Sequence, residues 1–364
     1  MAEKKCVAYV STYTMGDKHG IKIYDVDLEH GRFSEKGSVH ITNSSYVTIS
    51  HNRKYLYAIT DTGVSSYRIL PDGNLEFVNT ASTNSMRGCY LSTDYEDKFL
   101  FCAGYHDGKI TVLHLDSSTG AVDAITDEVF HKGLGSIAER SYRPHISCVK
   151  MTRDNKYLCA ADLGIDYVNI YRLDHDRGIL RQVDIIRCDI DSAPRHLKFT
   201  EDGRFLYIVS EMKNCIDVYK YYEEDNVPYF DPVQTIPTSD KFEVKGVAAS
   251  ALNISDDGRY ILTSTAGDNC VSLFQINQET GELTRLFYLP VSGEYPKDAA
   301  LFPNNKYLVS LNHESNTMTF FRVDYENNYM VMKGKELEIN QANCVIFHEL
   351  SCSMDHGARV HVYK

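Results

Sequence analysis

The stretch Asp202-Gly-Arg-Phe-Leu-Tyr207 decides the fold, because it does not stand alone. A turn of Asp, Asn or Gly, then Lys or Arg, an aromatic and a short apolar run recur along the chain. The other copies are Asn52-Arg-Lys-Tyr-Leu-Tyr57, Glu96-Asp-Lys-Phe-Leu-Phe101, Asp154-Asn-Lys-Tyr-Leu-Cys159, Asp257-Gly-Arg-Tyr-Ile-Leu262 and Asn304-Asn-Lys-Tyr-Leu-Val309. Their aromatics are spaced by 44, 58, 48, 55 and 47 residues, and a step of 49 back from Tyr55 lands on Lys5-Cys-Val-Ala-Tyr9. Seven units result. Alternating runs such as Val168-Asn-Ile-Tyr171 and Ile216-Asp-Val-Tyr219 flank the phrase, and period-two alternation between turn residues marks half-buried strands. Four strands in each unit give 28, and helical periodicity is absent.

Repeats of this length with four strands each are the signature of a β-propeller. The expectation is an all-β, seven-bladed β-propeller over residues 1–350, one domain, with 351–364 a C-terminal extension. The first unit lacks an innermost strand, and Cys344-Val-Ile-Phe-His-Glu349 supplies one after the seventh unit has ended. N- and C-terminal strands sharing one blade close the ring and remove the sheet edges that an open array exposes.

The chain of 364 residues carries 38 Lys+Arg against 50 Asp+Glu, a formal net charge of −12. An acidic balance without basic clusters argues against nucleic-acid or anionic-membrane partners, which need clustered cations to displace counterions. No run of about 18 apolar residues occurs. The ten cysteines are scattered without C-x-x-C spacing, and are read as reduced, mostly buried side chains of a cytoplasmic protein.

In a propeller the starts of the innermost strands and the ends of the second strands meet at one end of the channel. The first ring is read as Tyr46, Cys89, His145, Arg195, Ala251, Lys297 and Cys344, and the second as Tyr13, Asp61, Tyr105, Asp162, Glu211, Ala266 and His313. His145, Arg195 and Glu211 fall on neighbouring blades four and five. The 58-residue interval holds an insertion from His131 to His145, expected to bring His131, Arg140 and Arg143 to the same rim. A basic concavity on an acidic molecule focuses a small anion.

The Tyr105-His-Asp-Gly108 corner, His131-x-Gly-x-Gly135, Arg140-x-x-x-Pro144-His145, Ala193-Pro-Arg-His-Leu197 and Glu211 together resemble the seven-bladed lactonase family. That family includes propeller-type 6-phosphogluconolactonases and fungal carboxymuconate-lactonizing enzymes. The likeness covers about residues 6 to 350. It implies a metal-independent hydrolase of an anionic sugar lactone, with His145, Arg195 and Glu211 as active-site residues; no cofactor is expected, and His131, Arg140, His106 and Lys297 are read beside them as substrate contacts. Such chemistry needs a base for water, positive charge for the developing oxyanion and an acid for the departing alkoxide. Two positions depart from the family pattern: Ala266 stands where an arginine is usual and Ala251 where an acid is usual. Three other readings stay open: a propeller that binds an anionic sugar or carboxylate without turning it over, a lactonizing enzyme, and an interaction scaffold. The scaffold reading lacks Trp-Asp phrases, since the chain has no Trp. The expected assembly is a monomer or weak homo-oligomer.

Overall fold

The computed structural model describes residues 5–14, 16, 18–135, 143–240 and 246–350. The hexapeptide phrase is a turn with a fixed wiring. In blade five the Thr200 hydroxyl donates to Asp202 at 2.6 Å and accepts the Phe205 N–H at 3.1 Å. Ser50, Thr152 and Ser255 do the same for Tyr55, Tyr157 and Tyr260, while in blade three the Asp94 carboxylate accepts the Phe99 N–H directly. The residue two before the aromatic has positive φ in all six copies: Arg53, Asp97, Asn155, Gly203, Gly258 and Asn305. That position explains the preference for Asn, Asp and Gly there.

Each phrase thus joins an innermost strand to a second strand, and the result is seven antiparallel sheets, with six of four strands. Among the described residues there are 29 strands rather than 28. The outer strand of blade seven is broken into Tyr329–Met332 and Leu337–Glu338, both pairing with Thr317–Asp324. Blade one takes its innermost strand from Ala342–Glu349, which pairs with Cys6–Thr12, so the ring closes as the sequence implies.

The core lies between blades. The phrase aromatics press on glycines of the adjacent blade: a Cβ on Gly31, Gly120, Gly178 or Gly281 would meet Tyr307, Tyr55, Phe99 or Phe205 at 2.2–2.4 Å. The hydroxyls of Tyr55, Tyr157 and Tyr307 donate across to Ser118, Asn226 and Glu29 carbonyls, so these tyrosines pack and hydrogen-bond at once. Among the described residues no helix is long and apolar enough to cross a membrane, and the nine described cysteines are all free.

Candidate functional site

Strand pairing near the channel mouth contains a bulge that the sequence did not announce. In blade five Pro194 pairs with Ser210 and His196 with Val209, leaving Arg195 as the extra residue. In blade seven Pro296 pairs with Asn312 and Asp298 with Leu311, leaving Lys297. The extra residue in blade four is Ser147, and in blade one Asn343. Counting ten positions back from each phrase aromatic gives the same set: Ser45, Cys89, Ser147, Arg195, Ser250 and Lys297. A bulge bends the strand and re-aims its side chain. The first ring is therefore corrected at four places, with Ser45 for Tyr46, Ser147 for His145, Ser250 for Ala251 and Asn343 for Cys344.

Five members of this ring stitch blades together. Ser45, Ser147, Ser250 and Asn343 donate to the carbonyls of Gly88, Pro194, Lys297 and Ser44 at 2.8, 3.0, 3.0 and 3.3 Å, and the Cys89 thiol reaches the Ile146 carbonyl at 3.2 Å. Arg195 and Lys297 are the charged members, and both line a cavity of about 310 Å³ at this mouth. Glu211, His106, Tyr105 and Tyr13 line it too.

The Arg195 guanidinium is ion-paired through Nη1 to Glu211, whose side chain is 5% exposed. Its buried Nε–H has no partner among the described residues, so donor capacity remains for a ligand. Lys297 Nζ sits 4.7 Å from the centroid of the Tyr13 ring, and the Arg87 guanidinium 4.6 Å from the same ring. Burial, then the charges of Arg195 and Arg87, pull the Lys297 ammonium down to about 7. Burial likewise raises the Cys89 thiol, which keeps this cavity-lining cysteine protonated and a poor nucleophile.

Arg87 and Tyr295 line the cavity and were missed from sequence. Arg87 lies in the connection between blades two and three, outside the repeated phrase; its signal was its place two residues before ring member Cys89. Tyr295 precedes Pro296 as Ala193 precedes Pro194, and both have φ of 56°. Proline bars the right-handed helical region to the residue before it, and the left-handed alternative costs about 1–3 kcal/mol in a non-glycine residue. Side-chain acceptors hold both in place: Asn269 takes the Tyr295 N–H at 2.9 Å and Asp166 the Ala193 N–H at 2.8 Å.

His145 stands one layer behind the cavity lining, 7% exposed, with its ring stacked on Tyr105 at 4.4 Å. Its Nδ1 is 2.7 Å from the Tyr105 carbonyl oxygen. A carbonyl can only accept, so Nδ1 carries a proton, and in the neutral ring the lone pair is therefore on Nε2. The Asp162 carboxylate fixes the backbone beneath it, accepting the His145 and Gly164 N–H groups at 2.7 and 3.0 Å. His131 does not reach the cavity. Its side chain is 1% exposed and its Nδ1 donates to Asp162 at 2.7 Å, which makes it a prop for the loop that carries His145. Arg140 lies outside the described residues. Arg143 is exposed and, with burial, Arg87 and His145, depresses the pKa of His106, burial being the largest effect. Ala251 and Ala266 are buried and line no part of this cavity.

Among the described residues Asp94, Glu96 and His175 are spaced as a metal could use them, but away from this cavity. Asp94 already accepts the Lys98 and Phe99 N–H groups at 2.7 Å each as part of its turn.

Residues 7–347 match the family model described as lactonase, 7-bladed beta-propeller. The chain is 28% identical over 349 residues to the 6-phosphogluconolactonase of Bacillus subtilis, covering 94% of this chain and 98% of that one. It superposes on a putative 6-phosphogluconolactonase from Bacteroides fragilis with a TM-score of 0.86 at 26% identity, covering 96% and 99% of the two chains. The periplasmic gluconolactonase PpgL of Pseudomonas aeruginosa gives 0.87, also at 26% identity, covering 95% and 100%.

Proposed function

This chain belongs to the seven-bladed β-propeller lactonase family, and from that premise we propose that it hydrolyses an anionic sugar lactone in the manner of a 6-phosphogluconolactonase, without a metal. The observation that carries the reading is the convergence of Arg87, Arg195 and Lys297 with Glu211 in one cavity. Three cations against one carboxylate suit a substrate bearing both an anionic group and a carbonyl that turns anionic.

In this reading Arg87 and Lys297 hold the substrate's anionic group. Arg195, oriented by Glu211, faces the carbonyl oxygen. His145 Nε2 takes a proton from water as the water oxygen bonds to the carbonyl carbon. The tetrahedral intermediate then expels the ring oxygen, and the imidazolium returns the proton to that alkoxide, so base and acid are one residue in turn. We read the compartment as cytoplasmic, with the free cysteines as support.

The test is turnover of 6-phosphogluconolactone and of gluconolactone by the purified protein, measured above spontaneous hydrolysis. His145→Ala is expected to lower kcat by about 10²–10⁴ and, because it removes a buried ring stacked on Tyr105, to lower the unfolding midpoint modestly while the protein still folds; full turnover in that variant removes His145 from the chemistry. The absence of arginine at Ala266 favours a second reading, a propeller that binds such anions without hydrolysing them. Saturable binding of 6-phosphogluconate with no lactone turnover selects it.

A further inference from the structure

The innermost strands run the length of the channel, and their far ends carry a second set of cations. Lys150, Lys198 and Asn253 each stand seven residues before a phrase aromatic, on adjacent blades four, five and six. They line a cavity of about 920 Å³ at the mouth opposite the candidate active site, with Arg53 and Arg153 on its turns.

Elsewhere the protein pairs a lysine that it buries. The Lys109 ammonium, 3% exposed, has Glu128 at 2.6 Å and the Thr83 carbonyl at 3.0 Å. Lys150 and Lys198 are half-buried, and among the described residues neither ammonium has a hydrogen bond or ion pair. Burial, then the charges of Lys198 and Arg153, bring Lys150 down to about 8. Apart from the Coulomb attraction between Lys198 and the buried Asp298, whose carboxyl burial raises to about 6, these two like charges stand together without an ion-pair partner among the described residues, a cost to the empty protein that a bound anion relieves.

The acids of this mouth do not fill that role. Asp257 is hydrogen-bonded to Ser255 and ion-paired to Arg259. Asp256 and Glu349 each make an interaction of their own. Glu201 lines the cavity from the turn that follows Phe199, and among the described residues no ion pair joins it to either lysine. Asp298, behind Asn253, accepts from the Asn253 amide and from the Ala299 and Val345 N–H groups at 2.9 Å each.

We propose that this opposite mouth binds a small multivalent anion, a phosphate ester or a polycarboxylate, between Lys150 and Lys198 with Arg53 and Arg153 at the rim. The site is independent of the lactonase reading and shares no residue with the first cavity.

Calorimetric titration of the full chain at low ionic strength tests it, with inorganic pyrophosphate and citrate as separate probes. In the Arg87→Ala/Lys297→Ala background, which removes the two side chains assigned to the anionic group at the first mouth, one equivalent of at least one probe is expected to bind. The probe that binds identifies the chemistry. Adding Lys150→Met and Lys198→Met is expected to weaken that binding at least tenfold. Should the quadruple variant not fold, Lys150→Gln alone in the same background is expected to weaken it about threefold. No binding of either probe to the doubly substituted background overturns the proposal, and so does unchanged binding in folded variants lacking these lysines.

Discussion

Lys297 carries a stability cost that a structural residue at its ring position avoids. An unfolded lysine titrates near 10.4 and the folded one at about 7, so the unfolded chain binds the extra proton between those values. The wild-type fold is therefore penalised at pH 7, and the penalty fades as pH rises from about 7 towards 10. Lys297→Met is expected to raise stability at pH 7 by about 1–3 kcal/mol, with the gap to wild type closing as pH rises; urea titrations at pH 7 and 9.5 read both. The same variant is expected to bind an anionic substrate analogue at least tenfold more weakly at pH 6. In wild type, affinity for that analogue is expected to fall as pH rises through 7, because the ammonium that attracts it is lost. A destabilised, less soluble Lys297→Met would mean the ammonium is satisfied in the native cavity and not held there for a ligand.

At the scale of the strand and its turns, the sequence disclosed the repeat but not the bulge. The phrase from Asp202 to Tyr207 was legible because its turn has one solution, a left-handed second position under an Asp, Ser or Thr bracket, and six of the seven blades encode it. The bulge has no such code. Its side chain is Ser, Asn or Cys where it tethers the next blade and Arg or Lys where it faces the cavity, so no residue type marks it. His145 was read as the ring residue equivalent to Arg195, whereas the equivalent position is Ser147, two residues further along. Arg195, Glu211, Lys297 and His106 nonetheless line one cavity, since the strands they lie on or follow were placed correctly. Arg87 was not, because a connecting loop carries no periodic signal. The glycine contacts belong to this scale too. Gly281, at φ 75°, leaves 2.3 Å between an added Cβ and the Phe205 ring, so Gly281→Ala forces apart blades five and six. A loss of about 2–4 kcal/mol is expected from overpacking and the unfavourable φ together. Gly334→Ala, also at positive φ but with open space around it, is expected to lose less than half as much in the same denaturant series.

For the whole molecule the question is whether a ring sealed by strand pairing alone behaves as one cooperative unit. Blade one pairs Cys6 with Glu349 and Ser11 with Cys344, and among the described residues no disulfide spans the seam. Two features resist opening there. Val7, Ala8, Tyr9 and Val10 are fully buried, as buried as Leu206 to Val209 in blade five, so parting the strands exposes as much apolar surface as parting any other blade. The Val345 N–H is also held by Asp298 of blade seven, which ties the closing strand sideways as well as along its ladder. Native-state hydrogen exchange separates the alternatives. If the ring opens only on global unfolding, the amides of Val7 to Val10 exchange with the same free energy as those of Leu206 to Val209, and both follow the global denaturant slope. Exchange in blade one faster by tenfold or more, with a smaller slope, would mean that the seam opens first and that the propeller breathes by parting its termini. The first outcome is expected, because opening the seam strands two complementary edges in water with no gain in chain entropy beyond a single eight-residue segment.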